Sequence, residues 1–147
     1  MRNNAVGSVR AFNRFYTNVI GVVDRHILDS DYSLLDARIL YEVDSTPGVT
    51  AREVKARLSV NEGHLSHVLD QLCKKELLRR TRSPDDKRAY HLTLTEKGRA
   101  EFAKLNQRSD HAIAALLQGL DEAGSARLLE AMGTIRSILA SSEVGRA

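Results

Sequence analysis

The sequence predicts a mainly α fold with one small β element (α+β), and three observations carry that prediction. Apolar residues recur at spacings of three and four along most of the 147 positions, the period of helices with one buried face. Ser33, Thr50 and Asn61 each stand where a helix cap is needed, and the first two are followed three residues later by an acid, Asp36 and Glu53. One stretch, residues 77–94, switches to the two-residue alternation of strands around a Pro/Asp turn.

The elements follow in order. Residues 8 to 28 are predicted as a helix, because Val9, Phe12, Tyr16, Val19 and Val23 form a stripe that Phe15, Ile20 and Ile27 widen. Asp29 to Tyr32 reads as a turn. A second helix runs from Leu34 to about Ser45 and stops at Pro47-Gly48. Thr50 opens a short third helix to Leu58, with Val54 and Leu58 on one face. Asn61 caps a fourth, with Leu65, Val68, Leu69 and Leu72 as its apolar face. Leu77 to Arg82 and Ala89 to Leu94 are extended, and Ser83-Pro84-Asp85-Asp86-Lys87-Arg88 joins them as a hairpin. Thr95 caps a long helix marked by Phe102, Leu105, Ile113, Leu116 and Leu120. Gly119 and Asp121 break it, and a last helix from about Glu122 to Ser141 carries Leu128, Leu129, Met132, Ile135 and Leu139. Residues after Ser141 read as a tail.

Composition excludes several classes. One cysteine, Cys73, allows no internal disulfide and fits a reducing cytoplasm. The longest apolar run, Ala112 to Leu117, is too short to span a membrane, and the Met1-Arg2-Asn3-Asn4 start lacks a signal peptide's apolar core. Aromatics at 5% with no Trp argue against stacking platforms for single strands. The net charge of +3 is uninformative as a sum and informative when resolved. Residues 74–88 hold seven basic and three acidic side chains, or +4, so the other 132 residues sum to −1.

Three short helices and then a hairpin is the order of a winged helix-turn-helix, whose last short helix enters the DNA major groove while the hairpin, the wing, reaches alongside. Basic charge gathered in and before the hairpin is what a phosphate-facing element needs, since each neutralised phosphate releases counterions. The bland alternative is a solvated basic hairpin on a structural domain. His64 and His67 share a helix face, but no third ligand lies near in sequence, so no metal site is expected. No catalytic nucleophile constellation is found, and neither enzyme activity nor a cofactor is expected.

Ser83-Pro84-Asp85-Asp86-Lys87-Arg88 followed by Leu92-Thr93-Leu94-Thr95-Glu96-Lys97-Gly98 resembles the wing and exit signature of the MarR family of transcriptional regulators. Leu65-Ser66-His67-Val68-Leu69-Asp70-Gln71-Leu72 is similar to that family's recognition helix, and the resemblance covers nearly the whole chain. It implies a single domain over residues 1–147, with the DNA-binding winged helix-turn-helix at 33–98 and helical dimerisation parts at 1–30 and 99–141. It implies a cytoplasmic homodimer on a pseudo-palindromic site in double-stranded DNA. Such a protein is a repressor, less often an activator, and a small, often aromatic effector releases it. Val9-Arg10-Ala11-Phe12-Asn13-Arg14-Phe15-Tyr16-Thr17 resembles a subset fused to a GNAT-type acetyltransferase. The chain stops where that half would begin, and no Arg/Gln-x-x-Gly-x-Gly/Ala pyrophosphate pattern is present. The rival function is therefore a regulatory or protein-interaction module of an acetyltransferase, with little DNA specificity of its own.

Residue roles follow from helix faces and from the resemblance. Asn61, Gly63, His64, Ser66, His67 and Gln71 point away from the apolar face of the fourth helix and are the expected groove-facing residues, with Glu62 beside them. His67 stands where many members carry Arg, so binding is expected to strengthen at lower pH. Lys74, Lys75, Arg80, Arg82 and Lys87 are the phosphate candidates. Arg88 is expected in the minor groove, oriented by a bidentate pair with Asp86. Glu76 replaces the family's usual Gly after the Lys-Lys pair, which suggests a different helix end. Cys73 reads as a small half-buried residue, although Lys74 and Lys75 would lower its pKa. Phe12, Tyr16 and Tyr41 are the candidate effector-pocket residues, with Phe15 and Tyr32 near them in type. The broad apolar stripes of the first and last two helices exceed what one three-helix unit can cover, which is the reason from the residues themselves to expect a twofold partner.

Overall fold

The computed structural model describes residues 2–28 and 30–142, with side chains from 4 to 19 and from 30 onward. Six helices and one hairpin follow in the order α1 (Arg2–Leu28), α2 (Leu34–Ser45), α3 (Ala51–Leu58), α4 (Glu62–Lys74), β1 (Leu78–Arg82), β2 (Tyr90–Leu94), α5 (Glu96–Leu117) and α6 (Glu122–Ser141). The chain divides into two compact units, 1–110 and 111–147. Among the described residues no helix is long and apolar enough to cross a membrane.

The caps work as the sequence predicts. Ser33 and Thr50 each accept from the backbone N–H three residues on, and Asp36 and Glu53 return the bond to the cap amide. Asn61 Oδ1 accepts from the Gly63 and His64 amides at 2.9 and 3.3 Å. Three starts move, that of β2 by one residue, from Ala89 to Tyr90. Helix α1 starts at Arg2 rather than residue 8, because Val6 continues the stripe one turn back from Val9, and a lone Gly7 costs only about 1 kcal/mol against Ala. Ile20, Val23 and Ile27 of the expected stripe lie outside the described side chains, and the tail beyond Ser142 lies outside the described residues. Strand β1 starts at Leu78, because Leu77 still belongs to the end of α4.

That helix end corrects the expectation for Glu76. Its φ is +62°, its amide donates to the Cys73 carbonyl, and the Leu77 amide donates to the Leu72 carbonyl, both at 3.0 Å. This is the Schellman closure that glycine ordinarily makes, with buried Leu77 over buried Leu72. The helix ends in the usual way, and a glutamate bears the left-handed backbone.

Strands β1 and β2 pair antiparallel, with Leu78 opposite Leu94 and Arg80 opposite Leu92. On the far edge of β2, the Leu92 amide donates to the Val49 carbonyl at 2.8 Å, and His91 Nδ1 hydrogen-bonds the Gly48 carbonyl. The wing base is thus tied to the loop between α2 and α3. The core of the first unit joins Ile39, Leu40, Val43, Val49, Val54, Leu65, Leu69, Leu72, Leu77, Leu92, Phe102 and Leu105. Gly98 makes the closest approach: a Cβ there would lie 2.1 Å from the Leu77 carbonyl oxygen. The Thr95 hydroxyl accepts from the Gly98 amide at 2.9 Å, so the cap and the glycine together seat α5 on the end of α4.

Candidate nucleic-acid interface

Helix α4 places the expected recognition residues by simple periodicity. Leu65, Leu69 and Leu72 are buried and Val68 is partly buried, so Asn61, Glu62, Gly63, His64, Ser66, His67 and Gln71 are all exposed on the remaining surface. Gly63 has open space above it apart from the capping Asn61 oxygen at 3.4 Å. A backbone can approach there closely. Among the described residues no group of three or more His, Cys, Asp or Glu side chains is placed to hold a metal.

The wing tip is built around Ser83, a residue the sequence did not single out. It is buried, its amide donates to the Ala89 carbonyl at 2.9 Å, and its hydroxyl accepts from the amides of Asp85 and Asp86. The loop is thereby closed without a glycine, and Lys87 and Arg88 are pushed outward, exposed. Asp86 does engage Arg88, but by another route than the expected side-chain pair. Its Oδ1 accepts from the Arg88 amide at 2.9 Å. Among the described residues neither Lys87 nor Arg88 forms an ion pair. Their charges are available to an outside partner.

The remaining cations divide. Lys74 is exposed and makes no ion pair among the described residues. Lys75 holds its ammonium over the Tyr32 ring, 5.3 Å from the centroid, while its carbonyl accepts from Lys97 Nζ at 3.0 Å. Arg80 NH1 lies 2.8 Å from Asp70 Oδ1 of α4. Arg82 lies over the Tyr90 ring and donates to its hydroxyl at 3.3 Å. That bond and the adjacent positive charge hold the Tyr90 hydroxyl below its ordinary pKa and raise that of Arg82. Of the phosphate candidates, then, Lys74, Lys87 and Arg88 have no ion pair among the described residues, whereas Lys75, Arg80 and Arg82 have partners inside the fold. Nothing in the sequence names Asp70 or Tyr90 as those partners, because register decides the neighbours.

Cys73 departs from its expectation in sign. Burial, with a smaller effect of Asp70, pushes its thiol up, and Arg80 only partly offsets that. Of the pocket residues, Tyr41 lines a cavity of about 350 Å³ with Leu34, Arg38, Arg57, Leu58 and Phe102. Phe12 and Tyr16 are not in its lining. They stack on each other at 5.6 Å on the exposed surface of α1, so the three aromatics are not brought together. Arg57 donates to Glu42 at 3.0 Å and to Thr46 Oγ1 at 2.8 Å, fastening α3 to α2 beside the cavity.

Residues 33–98 match the family described as "Winged helix DNA-binding domain". No curated protein matches the chain. Among solved structures, wild-type MarR from E. coli in its apo form is 23% identical over 86% of this chain and 94% of its own, with a TM-score of 0.76. The transcriptional repressor CouR, bound to a 23-mer DNA duplex, is 27% identical over 86% and 89%, with a TM-score of 0.75. Streptococcus pneumoniae FabT in complex with DNA is 22% identical over 92% and 97%, with a TM-score of 0.77. The chain thus has the winged-helix fold of the MarR-family regulators, with the winged helix itself at residues 33–98.

Proposed function

We infer that this protein is a transcriptional regulator that binds double-stranded DNA in a sequence-specific way as a homodimer on a pseudo-palindromic operator. The observation that carries the inference is one surface of the first unit. It joins an uncovered recognition face on α4 to a wing tip whose Lys87 and Arg88 have no ion pair among the described residues. Helix α4 suits the major groove, and a cationic tip suits the minor groove where it narrows over A·T-rich sequence. The similar structures of MarR with operator DNA, of CouR and of FabT support the same use. CouR, a repressor, favours repression over activation here.

Dimerisation is inferred from apolar surface left without cover. Val6, Val9, Phe12 and Phe15 of α1, and Leu129, Met132, Ile135 and Ile138 of α6, are all exposed. Two recognition helices about 34 Å apart would meet successive major grooves. The cavity at Tyr41, with aliphatic and aromatic walls, the Arg38 guanidinium and the Arg57–Glu42 ion pair, suits a small aromatic effector whose binding would loosen the DNA complex.

Selection of bound sites from random duplexes tests the reading. The expected product is an inverted repeat bound with a steep salt dependence. Weak binding that is indifferent to sequence, together with tight binding to a protein partner, would instead favour the interaction-module alternative.

A further inference from the structure

Arg80 sits in the most basic stretch of the chain, yet its side chain is directed toward α4. It pairs across the hairpin with Leu92, and cross-strand partners share a face, so Arg80 leaves β1 on the side where Leu92 and Leu78 are buried. There it meets Asp70 at 2.8 Å, with the two side chains about one-third and one-half exposed. Asp70 lies three residues after His67 and four after Ser66, hence on the same exposed face of α4. A carboxylate on that face would repel phosphates and the acceptor-rich groove if it stood alone. Arg80 neutralises it, and the contact spans from the middle of β1 to the third turn of α4. Beside the backbone closure at Glu76 and Leu77, it is a second point of attachment between helix and wing.

We propose that Arg80 is a positioning residue rather than a phosphate contact. Through Asp70 it sets the angle between α4 and the wing, and therefore the base-pair spacing between what α4 reads in the major groove and what Arg88 reads in the minor groove. The proposal rests on the DNA-binding reading above and adds a specificity-determining pair to it.

The test compares wild type, D70N, R80K and the double variant R80Q/D70N. Binding to the selected operator and to a scrambled duplex is measured across a salt series, and amide exchange of residues 78–82 in the free protein. The double variant replaces a neutral pair by a neutral pair, so its salt slope stays at the wild-type value. Its operator-to-scrambled ratio falls about fivefold, the scale of one half-exposed ion pair. D70N lowers the ratio similarly, R80K retains most of it, and β1 amides exchange faster in D70N and in the double variant. A salt slope smaller by about 1.8 in the double variant, about 0.9 for each protomer of the dimer, with the ratio intact would mark Arg80 as a phosphate contact and overturn the proposal. So would a D70N protein that binds both duplexes more tightly with an unchanged ratio. Unchanged exchange in β1 overturns the clamp with no DNA present. A wild-type ratio near one removes the regulator reading and this role together, and the exchange result then still reports on the clamp alone.

Discussion

Helices α4 and α6, of 13 and 20 residues, each carry a row of large apolar side chains, but they meet opposite fates. Helix α4 buries Leu65, Leu69 and Leu72 to 3% exposure or less against the rest of its unit, and keeps its other face for polar residues. Helix α6 has no buried residue, although Leu129, Met132, Ile135, Ile138 and Leu139 are all large and apolar. The difference lies in what packs on each: α4 has β1 and α3 against it, whereas Leu129, Met132, Ile135, Ile138 and Leu139 of α6 are all exposed among the described residues. One helix is finished by its own fold, and on the dimer reading the other is finished by association.

Substitutions that separate the two regions sharpen the contrast. Met132→Asp with Ile135→Asp is expected to leave the melting temperature of the winged-helix unit nearly unchanged while converting the protein to a monomer in sedimentation. Operator affinity would fall about 10²-fold or more through lost bivalency. A dimer that survives both aspartates would break the comparison. In the closed region, Gly98→Ala drives a methyl into the Leu77 carbonyl, and a loss of about 3 kcal/mol in denaturant unfolding is expected. Arg88→Ala touches neither core nor dimer face. It should reduce operator affinity by about 1 to 3 kcal/mol with unfolding unchanged.

Smaller effects follow at the end of α4. Glu76→Gly removes the cost of a left-handed glutamate and should raise stability by about 1 kcal/mol, seen as a higher urea midpoint at constant m-value. Cys73 should alkylate more slowly than a free thiol at pH 7, because burial raises its pKa and so lowers the thiolate fraction. The same shift has a stability consequence of definite sign. The folded state holds the thiol proton more tightly than the unfolded state, so the contribution is complete below the unfolded pKa and is lost as pH rises through the folded one. Iodoacetamide kinetics between pH 7 and 9 read the first effect directly.

What could be read along the chain was whatever depends on near neighbours. The boxes at Ser33 and Thr50, the Asn61 cap, the buried face of α4 and the bounds of α2, α3 and α6 follow from bonds and periodicities within a few residues. Local chemistry also sufficed to place Arg88 at an exposed wing tip. It failed at Glu76, where the residue type argued for a different helix end. The burial of Leu72 and Leu77 outweighs about 1 kcal/mol of backbone strain there.

The sequence by itself determined the element order, the caps, the exposed polar face of α4 and the concentration of charge in the wing, because each arises from spacing along the backbone. Only the tertiary structure decided which of those charges remain free. Arg80, Arg82 and Lys75 look alike in sequence to Lys74, Lys87 and Arg88. Hairpin register and helix packing bring Asp70, Tyr90 and Tyr32 against the first three, and among the described residues no such partners to the others. Partners distant in sequence are set by packing the core, and the energy of that packing does not reside in any short segment of the chain.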